Sequence, residues 1–277
     1  MTDDCGLLNL ATCIPQKLYD FIINLINAPI QPLLDLTKNL LTQPVDLSGF
    51  GSLWAIIMYI LSMFYGLLLL YCGVNFLISG YDVIKRENAK MWFRNILIMI
   101  VLVQMSYFIY ATFIDINSLM TSGIINMVDS KFFLLTADNV VNIGLELFLG
   151  FFYVLTLIGT VLLLTLRYVL VAIGVVLIPV GIFLYFIPPL NSYGKLIINF
   201  LGVIIFVTFF DSLILLAGAK IVEIPVFENF KILVMITCFS IVNLLMFYLM
   251  LFSLIKSALK TADSVAGTAV SIARYFA

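Results

Sequence analysis

Histidine is absent from this chain of 277 residues, and only 10% of its residues carry charge. Without imidazole, the usual proton shuttle near neutral pH and the commonest transition-metal ligand are both missing. No glycine-rich phosphate loop, nucleophile–base pair, catalytic carboxylate pair or metal-ligand cluster can be picked out of the sequence. The expectation is a protein that is not an enzyme and needs no cofactor and no metal. Neither sign of charge prevails. Fourteen basic and fifteen acidic residues leave a net charge of -1, so no global field draws in nucleic acid or acidic lipid. Met1 to Leu10 hold Asp3 and Asp4 but no basic residue. That argues against a cleavable signal peptide and makes the first span the insertion signal.

What the chain does have is fat. Hydrophobic residues make up 64% of it, and the mean hydropathy is +1.19. A water-soluble domain of that composition would expose large apolar patches and aggregate. The runs Leu53 to Ile78, Ile96 to Ile114 and Ile232 to Ile255 reach or approach the ~20 residues that cross ~30 Å of hydrocarbon as helix. The predicted class is therefore an all-α, polytopic integral membrane protein. Its predicted parts are an extracytoplasmic amphipathic segment over 1–50, a transmembrane helical domain over 51–255 and a small-residue helix or tail over 256–277.

Residues 17–43 repeat apolar positions at helical spacing, with Asp20, Asn24 and Asn27 between them and Pro29 and Pro32 in the middle. The pattern predicts a bent pair of short amphipathic helices at the interface or packed on the membrane domain. Spans are predicted at about 53–79, 93–114, 195–222 and 231–255. A polar connection over 115–142 holds a possible amphipathic helix at 116–128. From Ile143 to Ile187 the sequence is one nearly unbroken apolar run. As continuous helix it would be ~65 Å long, about twice the hydrocarbon thickness, so the expectation is that it folds back.

Topology follows from the basic residues. Lys85, Arg86, Lys90 and Arg94 surround the turn between the first two spans, which puts that turn in the cytoplasm and the amino terminus outside. Two arrangements of the segment after Arg167 remain. As a full span it gives six crossings and seven of the fourteen basic residues inside, with no asymmetry. As a re-entrant hairpin turning at Pro179 and Gly181 it gives five crossings, the carboxyl terminus inside, and nine basic residues inside against five outside. The second is preferred, with six crossings as the alternative.

Four cysteines divide into two kinds. Cys72 and Cys238 lie within apolar runs, where a thiol behaves as a small hydrophobe. Cys5 and Cys13 lie in the polar amino-terminal segment. They either close a small disulfide loop on an oxidising side or stay as two free thiols.

Asp211 stands out among the polar residues, deep within the 195–222 span. A carboxylate at that depth is expensive unless it has a partner or takes up a proton. It reads either as a pathway or ion-coupling group or as interhelical glue, with Arg167, Asn199 and Asn243 as candidate partners. Arg86, Lys90 and Arg94 form a stripe at i, i+4 and i+8. That stripe reads either as topogenic charge or as a dock for a phosphate backbone or an acidic cytosolic partner. Ala258, Ala262, Ala266 and Ala269, with Ser257, Ser264, Gly267 and Ser271, make the tail either a close-packing helix or a frayed end.

The stretch from Leu166 to Pro188 runs as an apolar helix, a small-residue and proline step at Pro179-Val180-Gly181, a short Leu/Phe run, then a polar turn. It resembles the signature region of the TrbL-type polytopic inner-membrane subunit of type IV secretion and conjugation machines. The archaeal DNA-import (CedA-type) membrane protein is similar in size and in lacking large soluble domains. The resemblance covers about 50–255 as hydropathy and about 165–200 as pattern. It implies an oligomeric conduit for DNA or protein, a homo-oligomer in membrane lipid, that works with a cytosolic hexameric ATPase and pilus subunits. It carries over no catalytic residue. The alternative function is a secondary transporter or ion channel using Asp211 and a helix break at Pro179–Gly181.

Overall fold

Long apolar runs with few interior breakers become long helices. The computed structural model describes residues 10–81, 83–128, 133, 143–228 and 230–276. For 10–16, 18–20, 22, 23, 25, 26, 81, 143–147, 228, 253, 254 and 256–276 it describes the backbone alone. The helices are α1 (Leu10–Thr42), α2 (Gly51–Ile78), α3 (Val83–Ile125), α4 (Ile143–Phe186), α5 (Asn191–Val222), the single turn α6 (Pro225–Glu228) and α7 (Lys231–Phe276). No strand occurs among the described residues. Among the described residues, five helical segments are long and apolar enough to cross a membrane: Ser48–Ile78, Val83–Ile125, Phe148–Phe186, Pro188–Val222 and Lys231–Phe252. The all-α membrane class and the number five agree with the sequence.

The re-entrant hairpin does not. Helix α4 runs for 44 residues with Pro179 inside it, so neither Pro179 nor Gly181 turns the chain. An interior proline removes one backbone hydrogen bond, and membrane helices absorb that loss through their neighbours. The reversal comes later, at Pro188-Pro189-Leu190. There Ile187 takes extended angles (φ -92°, ψ 112°), as expected of a residue forced away from helix by the proline that follows it.

Two further expectations change in the same direction. Helix α1 is one helix of 33 residues, not a bent pair. Pro29 and Pro32 both sit on its exposed side, where the carbonyls they leave without a donor are not sealed in a core. Residues 116–125 are the end of α3 and not a separate interfacial helix. The backbone of 256–276 continues α7.

The chain divides into two compact units, Met1–Gln43 with Ser118–Leu166 and Thr208–Met246, and Pro44–Asn117 with Arg167–Val207 and Phe247–Ala277. In the first unit, α1 turns Ile30, Thr37 and Leu41 inward. The Ser118 hydroxyl donates to the Thr42 carbonyl and ties α1 to α3. Tyr153 and Phe239, both fully buried, pack ring to ring at 5.8 Å between α4 and α7.

In the second unit, Trp54 Nε1 donates to Ser106 Oγ at 3.1 Å and joins α2 to α3. Tyr65 and Phe183 join α2 to α4 at a centroid distance of 6.4 Å. Much of α2 is left bare, with Ile56, Met63, Leu67, Leu70, Val74 and Leu77 exposed at helical spacing. Such a surface belongs in hydrocarbon and not in water.

Candidate functional site

Each unit holds polar side chains buried in its spans, and these are the candidate functional residues. Arg167 leads those of the second unit. The last part of α4 and the first part of α5 lie unusually close there. A Cβ on Gly194 would stand 2.2 Å from the Tyr185 nitrogen, and one on Gly181 would stand 2.9 Å from Ile197 Cγ2. Gly181 thus acts as a contact point between helices and not as a turn, the common use of small residues in membrane helices.

That closeness lets Arg167 reach across. Its side chain is 2% exposed. Nε donates to the Ile204 carbonyl at 3.0 Å and Nη2 to the Ile205 carbonyl at 2.9 Å. A guanidinium keeps its charge in any protein environment. Two helix carbonyls offering their second lone pairs form part of the shell that replaces its water.

One turn further along α4, Tyr110 of α3 donates its hydroxyl hydrogen to the Val171 carbonyl at 2.7 Å. The ring lies over Gly174, where a Cβ would stand 2.0 Å from Tyr110 Oη. Beside Arg167, the Tyr168 hydroxyl accepts the Asp46 amide at 3.1 Å. Asp46 turns its carboxylate onto the Ser48 amide at 2.9 Å. That hydrogen bond holds the exposed Asp46 carboxyl below its ordinary pKa.

The first unit contains Asp211, fully buried on α5 between fully buried Thr208 and Ser212. Ser212 donates back to the Phe209 carbonyl at 2.7 Å. Fully buried Thr121 on α3 and Thr160 on α4 add to the polarity of this unit. Thr160 donates to Thr156 O at 2.9 Å, and Asn243 Nδ2 of α7 donates to the same carbonyl at 3.0 Å. Asn243 is therefore an interhelical fastener, seated over Gly159 where a Cβ would meet its Nδ2 at 3.2 Å.

Asn199 is exposed on α5, so it is not among the buried polar residues. Arg86, Lys90 and Arg94 are all exposed on α3. Lys90 pairs with Glu87 at 2.9 Å, and the Arg86 guanidinium lies 5.9 Å from the centre of the Phe76 ring. Of the Cys5–Cys13 pair, Cys5 falls outside the described residues and Cys13 lies on α1 with its backbone alone described. Cys72 and Cys238 are buried thiols. Among the described residues no cluster of three or more metal-ligating side chains occurs.

No sequence pattern pointed to Tyr110, Tyr168 or the buried hydroxyls of α3, α4 and α5. The one usable signal was glycine. Gly174 and Gly181 interrupt an otherwise bulky apolar run, and each marks where another helix comes close.

Together these features define a multi-pass, all-helical membrane protein with charged and hydroxyl groups held inside its spans. No family model, curated protein or solved structure matches the chain.

Proposed function

We propose that this protein is a channel or scaffold subunit of a conjugation-like, type IV secretion-related machine for DNA transfer or DNA import. It is a passive, homo-oligomeric subunit in the cell membrane, driven by a separate cytosolic hexameric ATPase and working beside pilus subunits. The observation that carries the pathway-forming part is the polarity kept inside the spans, with Arg167 on α4 and Asp211 on α5 both out of solvent contact. Charged groups within hydrocarbon are costly and rarely kept without a use, and a chain that merely anchored itself would have no need of them. The DNA-transfer part is supported by the Leu166–Pro188 pattern, now without the hairpin that first accompanied it.

The orientation belongs to the same proposal. With α4 crossing as one helix, Arg167 lies within a span. Lys85, Arg86, Lys90, Arg94, Lys195, Lys256, Lys260 and Arg274 then fall on one side and Lys17, Lys38, Lys131, Lys220 and Lys231 on the other. Eight against five puts the amino terminus outside and the carboxyl terminus in the cytoplasm. Deletion of the gene should abolish DNA transfer, and gentle detergent extraction should bring down an ATPase. Normal transfer in the deletion strain, with no ATPase or pilin recovered, overturns the reading.

A second reading, a secondary transporter or ion channel, is favoured by the full burial of Asp211. It no longer has a broken helix at Pro179–Gly181 to draw on. Solute or ion flux in proteoliposomes holding only this chain would select it.

A further inference from the structure

We infer that the groove between α2 and α3 is a binding site for one anionic glycerophospholipid, with its acyl chain in the groove and its phosphate on Arg86 and Lys90. The groove has a volume of about 710 Å³, within the size range of ligand sites. Among the described residues, Leu69, Gly73, Phe76, Leu77 and Phe93 line it, and Lys90 is the charged residue in its wall. Gly73 keeps it open, since a Cβ there would meet no atom within 4 Å.

The second cation is close by. Arg86 lies over the ring of Phe76, itself a groove residue, at 5.9 Å. Lys90 is held by Glu87, but both side chains are more than half exposed. An exposed pair of that kind is weak, so a lipid phosphate can take Glu87's place.

Depth in the bilayer separates a lipid from other anions. A second cavity of about 240 Å³, which shares buried Cys72 with the groove, is lined by Tyr71, Asn75, Ser79, Lys85, Asn88 and Trp92. The rings of Tyr71 and Trp92 meet there at 5.9 Å. Amphipathic rings of this type sit at headgroup level. The bare apolar face of α2 ends at Ile78, just before this turn. Basic residues at headgroup level beside an apolar groove between two spans suit a phosphodiester headgroup attached to an acyl chain. A free phosphate would leave the apolar wall empty.

The test is native mass spectrometry of the full chain in mild detergent, titrated with phosphatidylglycerol and, separately, with phosphatidylcholine of the same chain length. About 1 kcal/mol per basic residue predicts retention of one phosphatidylglycerol at least tenfold better than phosphatidylcholine. Substituting Arg86→Gln with Lys90→Gln should erase that preference while leaving weak retention of both lipids. Gly73→Leu, which has room to be accommodated, should lower retention of both. Three results overturn the proposal: equal retention of the two lipids by the unsubstituted chain, an undiminished preference in the double variant, or displacement of the lipid by equimolar glycerol 3-phosphate.

Discussion

Arg167 on α4 donates to the backbone carbonyls of Ile204 and Ile205 on α5, with Nε 3.0 Å from the Ile204 oxygen. A charge is thus held on a neighbouring helix's backbone in the second unit. Two hydrogen bonds from one charged, planar donor make this a geometric constraint as well as an energetic one. Lysine, with one nitrogen and no fork, cannot reproduce it.

Arg167→Met should therefore lower stability in detergent by about 2 kcal/mol or more, the scale of hydrogen bonds from a charged donor. Arg167→Lys should recover less than half of that loss. Thermal unfolding of the purified full chain measures both.

Gly174 and Tyr110 form a second contact that can be tested as a pair. Gly174→Ala places a methyl group 2.0 Å from Tyr110 Oη, so the ring must move and its bond to Val171 O must break. Tyr110→Phe removes only the hydroxyl and should cost about 1 kcal/mol. Because the two residues touch, the double variant should lose less than the sum of the single losses. Gly66→Ala, with no atom within 4 Å of its Cβ, should not destabilise and serves as the control.

Asp46 gives a pH signature. Its carboxylate accepts the Ser48 amide, and its folded-state pKa is held below the ordinary value. A depressed carboxylate stabilises the fold fully above the unfolded-state value of about 4. That contribution is lost as pH falls through the folded-state value. The stability difference between wild type and Asp46→Asn should be flat from pH 8 to pH 5 and shrink below pH 4. A difference that grows on acidification contradicts the sign.

Asp211→Asn keeps the shape of a fully buried side chain and removes its capacity to ionise. On the proposed function, the variant should insert, assemble and unfold near the wild-type temperature while DNA transfer falls at least tenfold. Unchanged transfer would make Asp211 a purely structural residue.

Hydropathy located the spans well because apolar length and helix length coincide where a membrane imposes both. The expected spans at 53–79 and 195–222 sit almost on α2 and α5. It failed where helix outlasts fat. Helix α3 extends ten residues before and eleven after the expected 93–114, and its ends carry Arg86, Lys90, Asp115 and Asn117. Proline misled twice, at Pro29 with Pro32 and at Pro179. A single proline in a long helix removes one hydrogen bond and leaves the others in place. The double proline at 188–189 did end its helix, as its restriction on Ile187 required.

Of the candidate site, Arg167, Asp211 and Asn243 were legible as polar residues in apolar surroundings. The exposure of Asn199 was not legible, because a composition window does not say which face of a helix a residue occupies. Tyr110 and Tyr168 were hidden because tyrosine is unremarkable in a chain with so many aromatic residues. Their role lies in where the hydroxyl ends up, and only the folded chain fixes that.

The sidedness of the turns tests the account most directly. Single cysteines are introduced at Gly80, Leu190 and Val226, with the four native cysteines replaced, and labelled in intact cells with a membrane-impermeant maleimide. All three positions are exposed. With five crossings and α4 passing straight through, Val226→Cys should label in intact cells, whereas Gly80→Cys and Leu190→Cys should label only after permeabilisation. Labelling of Leu190→Cys in intact cells, with Gly80→Cys still protected, would contradict the five-crossing arrangement and the orientation built on it.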